Sequence, residues 1–247
     1  MDHPFIMSKD EDRGNAAGGI KLERAYEKLN RAYRDLKDAH IEMVFRLAFL
    51  AELRDSQTGG HLVRIADYSA IIAEDLGLGP EEVEIIRYAT PMHDVGKIML
   101  PDKILKKSGK LTDEERTLMR KHPKAGADIF KNSRSDLLKA CEIIALTHHE
   151  RFDGTGYPEG LSGGDIPLYG RITALADCFD AYTSKRSYKE AYGFDEAVSM
   201  IRKRSGTHFD PDVVRSFTRN TRRLRQVWQA NRDIEMYLKD MGRSGRQ

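Results

Sequence analysis

From residue 22 to residue 50, apolar and aromatic side chains return at alternating steps of four and three: Leu22, Tyr26, Leu29, Tyr33, Leu36, Met43, Leu47 and Leu50, with His40 filling one place in the series. That is the stripe of one long helix sustained for about four heptads, and it commits a large part of the chain to α structure. Glu23, Arg24, Glu27, Lys28, Arg31, Arg34, Asp35, Lys37 and Asp38 fill the flanks, as on a helix with one seam and a solvated remainder. Such a seam needs a partner, and self-association through a coiled coil is the expectation for its first half. From Met43 onward Phe45, Ala48 and Phe49 make the helix apolar on more than one side, which predicts that its second half enters a globular core. His40 reads as a register or solvent-edge residue rather than a ligand. Residues 1–20 contain Gly14, Gly18 and Gly19, show no periodicity and read as a flexible leader.

The helical period governs the rest as well. Gly59 and Gly60 stop one helix; Ile65, Ala66, Ser69, Ile72, Ala73 and Leu76 trace the next, which ends at Gly77. Pro80, Glu81 and Glu82 open a third. Thr112, with Glu115 three residues on, reads as a reciprocal helix cap, and Pro123 kinks or restarts a helix beside His122. Helical patterns continue at 137–149, 172–181, 194–201 and 212–237. Between the first two of these, Gly154, Gly156, Pro158, Gly160, Gly163, Gly164 and Pro167 force a structured loop. No stretch alternates as a strand would, so the expected fold is all-α. Hydrophobic residues at 40% and charged ones at 32% suit a folded helical protein. No apolar run approaches the ~20 residues of a membrane span, and no basic-then-apolar leader marks secretion. The expected location is therefore cytoplasmic, without membrane insertion. Cys141 and Cys178 form no CxxC pair and read as buried thiols of a reducing compartment. A net charge of +2 argues against polymeric nucleic acid as a partner, and a solvated helix face accounts for the basic run at 215–225.

Chemistry concentrates in five of the eight histidines, His61, His93, His122, His148 and His149, together with Asp94 and Asp177. His93-Asp94 stands where an apolar segment (Val83, Ile85, Ile86, Tyr88, Ala89) runs into a loop ending at Pro101. Such a dipeptide is a weak signal alone, and the further ligands make it a strong one. Seven imidazole and carboxylate groups suit two metal ions better than one, with open positions left for water and substrate. Two cations about 3.5 to 4 Å apart, bridged by Asp94 and a hydroxide, are suited to in-line displacement at phosphorus. Mixed nitrogen and oxygen ligation favours iron, manganese, zinc, cobalt or nickel over magnesium. Lys97 is one helical turn from Asp94 in spacing and is placed to neutralise a phosphate oxygen. Tyr157 is a candidate to lie above the histidines. Arg186 and Lys189, in a basic, hydroxyl-rich turn, are candidates for a second phosphate.

The order Thr58-Gly-Gly-His61, then His93-Asp94-Val-Gly-Lys97-Ile, Lys121-His122-Pro, His148-His149-Glu-Arg-Phe-Asp153-Gly-Thr-Gly-Tyr157-Pro158, and Ala176-Asp177-Cys-Phe-Asp180-Ala resembles the HD-GYP family of bacterial cyclic-di-GMP phosphodiesterases. The likeness spans roughly residues 50–220. It implies an all-α HD-domain helical bundle with a two- or three-metal centre and an irregular Gly-Tyr-Pro loop. It implies one ion held by His61, His93, Asp94 and Asp177, and another held by His122, His148, His149 and the shared Asp94. It also implies catalytic roles for Asp94 and Lys97, with Lys97 and Tyr157 meeting the scissile phosphate, and Arg186 and Lys189 holding the second phosphate or a guanine. The implied substrate is cyclic di-GMP, cleaved to linear pGpG, GMP or both.

In two places the chain departs from the family pattern. Gln57 stands where members with a third metal have glutamate, and a neutral amide is a weaker ligand, so two ions are expected, iron or manganese first. Ser187 stands where proline is common. The implied organisation is a leader (1–20), a signalling and dimerisation helix (21–50), the catalytic domain (51–225) and a closing helix and tail (226–247). The helix implies a homodimer and an input from a receiver, sensor or cyclase-type partner. The rival readings are a catalytically silent interaction module and an HD-type phosphohydrolase of another nucleotide.

Overall fold

In the computed structural model of this chain, residues 9–54, 59–107, 109–184 and 191–230 are described, residues 9–20 by backbone alone. Helix α1 (Lys9–Glu52) is the long element expected from the seam. It begins earlier than expected, inside the stretch 1–20 read as a flexible leader. Adding residues to a helix already nucleated downstream requires no new nucleus, so three glycines weaken this end without stopping it. The two sides of α1 differ sharply. Ile41, Val44, Phe45, Ala48 and Ala51 are buried, whereas Leu22, Tyr26, Leu29, Tyr33, Leu36, Met43, Leu47 and Leu50 all stand exposed. The seam thus stays on the outside even where the helix enters the core, because residues two apart on a helix point in nearly opposite directions.

After α1 come α2 (Gly59–Asp75), α3 (Pro80–Ala89), the short α4 (Asp102–Leu105), α5 (Asp113–Met119), α6 (His122–Phe130) and α7 (Asp136–Thr147). Beyond the loop lie α8 (Leu168–Thr183), α9 (Phe194–Lys203), α10 (Pro211–Arg219) and α11 (Thr221–Ala230). Among the described residues there is no strand, only one isolated bridge between Ser205 and Phe209. Helix α2 is the central element, packed against α1, α3, α8, α10 and α11. Its Tyr68 meets Phe179 of α8 edge to face at 5.3 Å, and Phe179 meets Phe194 at 5.3 Å and Phe217 at 4.9 Å. These rings tie α2, α8, α9 and α10 into one core.

Local chemistry sets the breaks. Thr112 accepts from the Glu115 amide while Glu115 accepts from the Thr112 amide at 2.8 Å, the reciprocal cap the sequence predicts. The single closing helix expected over 212–237 is instead two. The Asn220 side chain donates to the Ser216 carbonyl at 2.9 Å, which competes with helix propagation there; residues 231–237 lie outside the described ones. The basic run is spent on acidic neighbours, with Arg219 on Asp75, Arg223 on Glu74 and Arg225 on Asp195. Among the described residues no helix is long and apolar enough to cross a membrane. Cys141 is buried as expected, Cys178 is half-buried rather than buried, and neither is in a disulfide.

Candidate metal centre

The seven ligand candidates converge as two neighbouring clusters. His61, His93 and Asp177 form one, and Asp94, His122, His148 and His149 the other, each with its ligand atoms within 4.8 Å of one another. Asp94 joins them. Its Oδ2 lies 3.1 Å from His93 Nε2, and its Oδ1 lies 3.1 Å from His122 Nε2 and 3.5 Å from His148 Nε2. Asp177 Oδ1 lies 3.7 Å from His61 Nε2 and 3.8 Å from His93 Nε2.

Five elements bring these groups together. Helix α2 carries His61 in its first turn, and α8 carries Asp177. His93 and Asp94 sit between two 3₁₀ turns, Thr90–Met92 and Val95–Met99, where the sequence suggested a loop. Gly96 lets that segment lie against α6: a Cβ here would come within 2.0 Å of the His122 carbonyl. His122 opens α6 and Pro123 follows in its first turn, restarting the helix there as the sequence predicts. The expected helix over 137–149 ends at Thr147. His148 caps the helix, its amide still donating to the Ile144 carbonyl, and His149 follows it, with the two ring centroids 4.1 Å apart.

The unused atoms indicate what the clusters fit. A carbonyl or carboxylate can only accept, so each Nδ1 facing one must carry the proton. His93 Nδ1 donates to the Thr90 carbonyl (3.1 Å), His122 Nδ1 to Met119 (2.8 Å), His148 Nδ1 to Ala145 (3.0 Å) and His61 Nδ1 to Asp180 Oδ2 (2.8 Å). In the neutral rings the Nε2 lone pairs then all face inward. His61 Nε2, His93 Nε2 and Asp94 Oδ1 are buried without a hydrogen-bond partner, and His122 and His148 bring two Nε2 atoms to 3.3 Å. Facing lone pairs and orphaned buried acceptors are unfavourable unless a cation lies among them, so the donor set fits metal ions.

The charge states of Asp94, His148 and His149 agree, and that of His93 departs. Burial alone would raise the Asp94 carboxyl, but Lys97 and His93 hold it well below the usual range. Burial, with His148 and His122 beside it, keeps the His149 imidazole neutral, and burial likewise lowers His148. Burial acts the same way on His93, yet Asp94 overrides it and raises that ring to about 9. Metal ligation at His93 must therefore displace a proton.

Around the clusters, Lys97 Nζ lies 2.7 Å from Asp94 Oδ2. Tyr157 stacks on His149 at 4.7 Å, so the loop's tyrosine does lie over the histidines, and Arg120 sits 5.0 Å above its ring. Burial pushes the Tyr157 phenol up, keeping it a donor. The loop owes its shape to Glu150, whose buried carboxylate accepts from the amides of Glu159 (2.7 Å), Gly160 (3.1 Å) and Leu161 (3.1 Å). Gly156 packs where a Cβ would meet the Arg151 amide at 2.4 Å, and the Tyr157–Pro158 bond is cis. Arg186, Lys189, Ser187 and Gln57 lie outside the described residues.

Asp180 stands within the Ala176-to-Ala181 motif, but the sequence reading assigned it no task and passed over Arg64. Asp180 is buried, holds His61 in its tautomer and accepts from Arg64 at 2.6 and 2.9 Å. Burial would raise its carboxyl, but hydrogen bonds from His61 and Arg64 bring it to about 2. Asp180→Asn is expected to weaken metal binding roughly 10- to 100-fold and, by leaving Arg64 without its counter-charge, to cost ~3–5 kcal/mol of stability. Metal titration and thermal melting check both; wild-type affinity in this variant would place His61 outside the centre.

A family model described as HD domain matches residues 47–213. The cyclic di-GMP phosphodiesterase response regulator RpfG of Xanthomonas campestris is 42% identical over 201 residues, covering 81% of this chain and 53% of that protein. The 3'3'-cGAMP-specific phosphodiesterase 2 of Vibrio cholerae is 43% identical over 180 residues, covering 73% of this chain and 34% of that protein. The chain thus spans about half or less of the length of these relatives. The crystal structure of a cyclic GMP-AMP specific phosphodiesterase from V. cholerae superposes with a TM-score of 0.61 at 20% identity, over 81% of this chain and 52% of that one, and shares the fold. With the family model covering more than half of its residues, and with its histidines and aspartates gathered as described, this chain belongs to the HD domain family, of the HD-GYP type.

Proposed function

We propose that the chain is a metal-dependent phosphodiesterase that hydrolyses cyclic di-GMP to linear pGpG, GMP or both. The observation that carries this reading is a pair of inward-facing ligand clusters sharing Asp94, with Tyr157 stacked over one of them. His61, His93, Asp94 and Asp177 would hold one divalent ion and His122, His148, His149 and Asp94 the other, iron or manganese first and nickel, cobalt or zinc next. Such a pair supplies an acidified water and positive charge for the oxygens of an in-line displacement. Lys97 balances charge on a non-bridging phosphate oxygen, and the protonated Tyr157 donates to another. Arg186 and Lys189 hold the second phosphate or a guanine, a role resting on the family resemblance. Gln57 in place of a carboxylate favours two ions over three.

The exposed seam of α1 supports a homodimer, with residues 21–50 as a stalk that takes its signal from a receiver, sensor or cyclase-type partner; the catalytic domain read as 51–225 runs on into α11 (Thr221–Ala230), which packs on α2, and residues 231–247 lie outside the described ones. A second substrate reading, 3'3'-cGAMP, is favoured by the 43% identity to a relative named as specific for it. Anaerobically purified protein, assayed with cyclic di-GMP, 3'3'-cGAMP and guanosine tetraphosphate with chromatography of the products, separates them. Cyclic di-GMP is expected to turn over fastest. A metal-loaded protein that binds it without forming pGpG or GMP would overturn the enzymatic reading in favour of an interaction module.

A further inference from the structure

Glu52 lies in the last turn of α1, and among the described residues it is the one buried acidic side chain on that helix. Only 3% of it is exposed, and its Oε1 is buried with no hydrogen-bond partner. Ala48 and Ala51 beside it are also buried, so the carboxylate sits on the face turned away from the exposed seam. That face packs on the two 3₁₀ turns flanking His93-Asp94. Two residues on, Arg54 donates to the Leu100 carbonyl at 3.0 Å and to Asp102 at 2.5 Å, pinning the end of α1 to the segment that carries Asp94 and Lys97. The charges acting on Glu52 are those of the centre itself: Asp94, His61, Lys97 and His93.

A buried carboxylate with a bare oxygen is unfavourable unless positive charge compensates it. Two divalent ions and Lys97 would bring five positive charges, against which Asp94 and Asp177 set two, while Asp180 is occupied by Arg64. Among the described residues Glu52 is the remaining buried carboxylate that these charges reach. We infer that Glu52 is a further group of the metal centre, contributed by the stalk helix, whose free oxygen holds a water on the ion at His61, His93 and Asp177, Glu52 itself standing outside both ligand clusters. This rests on the two-metal reading above. It gives the stalk a chemical hold on the site, since one helix carries both the exposed seam and a group that holds a water of the metal.

The full chain is stripped of metal and titrated with cobalt(II), whose visible spectrum reports its ligands, alongside Glu52→Gln and Glu52→Asp. Wild type is expected to take two equivalents. In Glu52→Gln one equivalent binds roughly 10- to 100-fold more weakly with an altered spectrum, Glu52→Asp recovers part of the loss, and the metal-free Gln variant melts no earlier than wild type. A metal-free variant that melts early while both cobalt affinities and the spectrum stay unchanged marks a purely structural role and overturns the inference. Unchanged affinities and spectrum in a variant of normal stability overturn it equally. Wild type that takes up no cobalt overturns the two-metal reading itself, and this inference with it.

Discussion

Asp94→Asn is expected to lower phosphodiesterase turnover by at least ~10³-fold, the several kcal/mol that metal activation and charge stabilisation contribute, and to leave the purified protein depleted of both ions. The size of the effect follows from position. One carboxylate oxygen faces His93 and Lys97 and the other faces His122 and His148, so this side chain is shared between the clusters. An amide keeps the shape but removes the negative charge, and its NH2 group can donate to an imidazole Nε2 that would otherwise bind metal. Elemental analysis and product chromatography read the two losses, and circular dichroism establishes that the variant is folded. Retention of a tenth or more of wild-type turnover by a folded variant would remove Asp94 from the reaction.

Metal chemistry was legible in the chain because residue type alone restricts it: imidazoles and carboxylates at 61, 93, 94, 122, 148, 149 and 177 have few other reasons to recur among apolar helices. What escaped reading acts through atoms that sequence does not display. Glu150 works by accepting backbone amides nine to eleven residues later, and any residue other than proline could supply those amides. The expected helix also runs to residue 149, whereas α7 ends two residues sooner, at Thr147, with His148 as its cap. Glu52 looks like another charged flank until the inward face of α1 is known. The helices themselves were legible from their period, and the break at Asn220 was not, since an asparagine in a helical pattern either tolerates or interrupts it depending on where its side chain bonds.

Lysine at both Leu29 and Leu36 is expected to convert a dimer into a monomer while leaving the catalytic fold intact. In the four-three series, the leucines at 22, 29, 36 and 50 share the d position of a heptad, where leucine favours two-stranded pairing, and His40 takes an a position, where a polar side chain costs stability and fixes register. Leu29 and Leu36 are 66% and 71% exposed, so within one protomer there is little packing for the lysines to disturb. Across a dimer the double change removes four leucines from the seam, each contributing ~1.5–3 kcal/mol if fully buried. Even a third of that total raises the dissociation constant by ~30- to 10³-fold. Sedimentation at micromolar concentration reads the change, and an unaltered dimer would mean that the chain associates elsewhere. Phe45→Ala, on the opposite and fully buried side of the same helix, should behave conversely, costing ~3–5 kcal/mol of stability with the seam preserved. If the stalk controls the centre, turnover per chain changes in the monomeric lysine variant although every ligand is present; equal turnover in monomer and dimer would confine the seam to assembly.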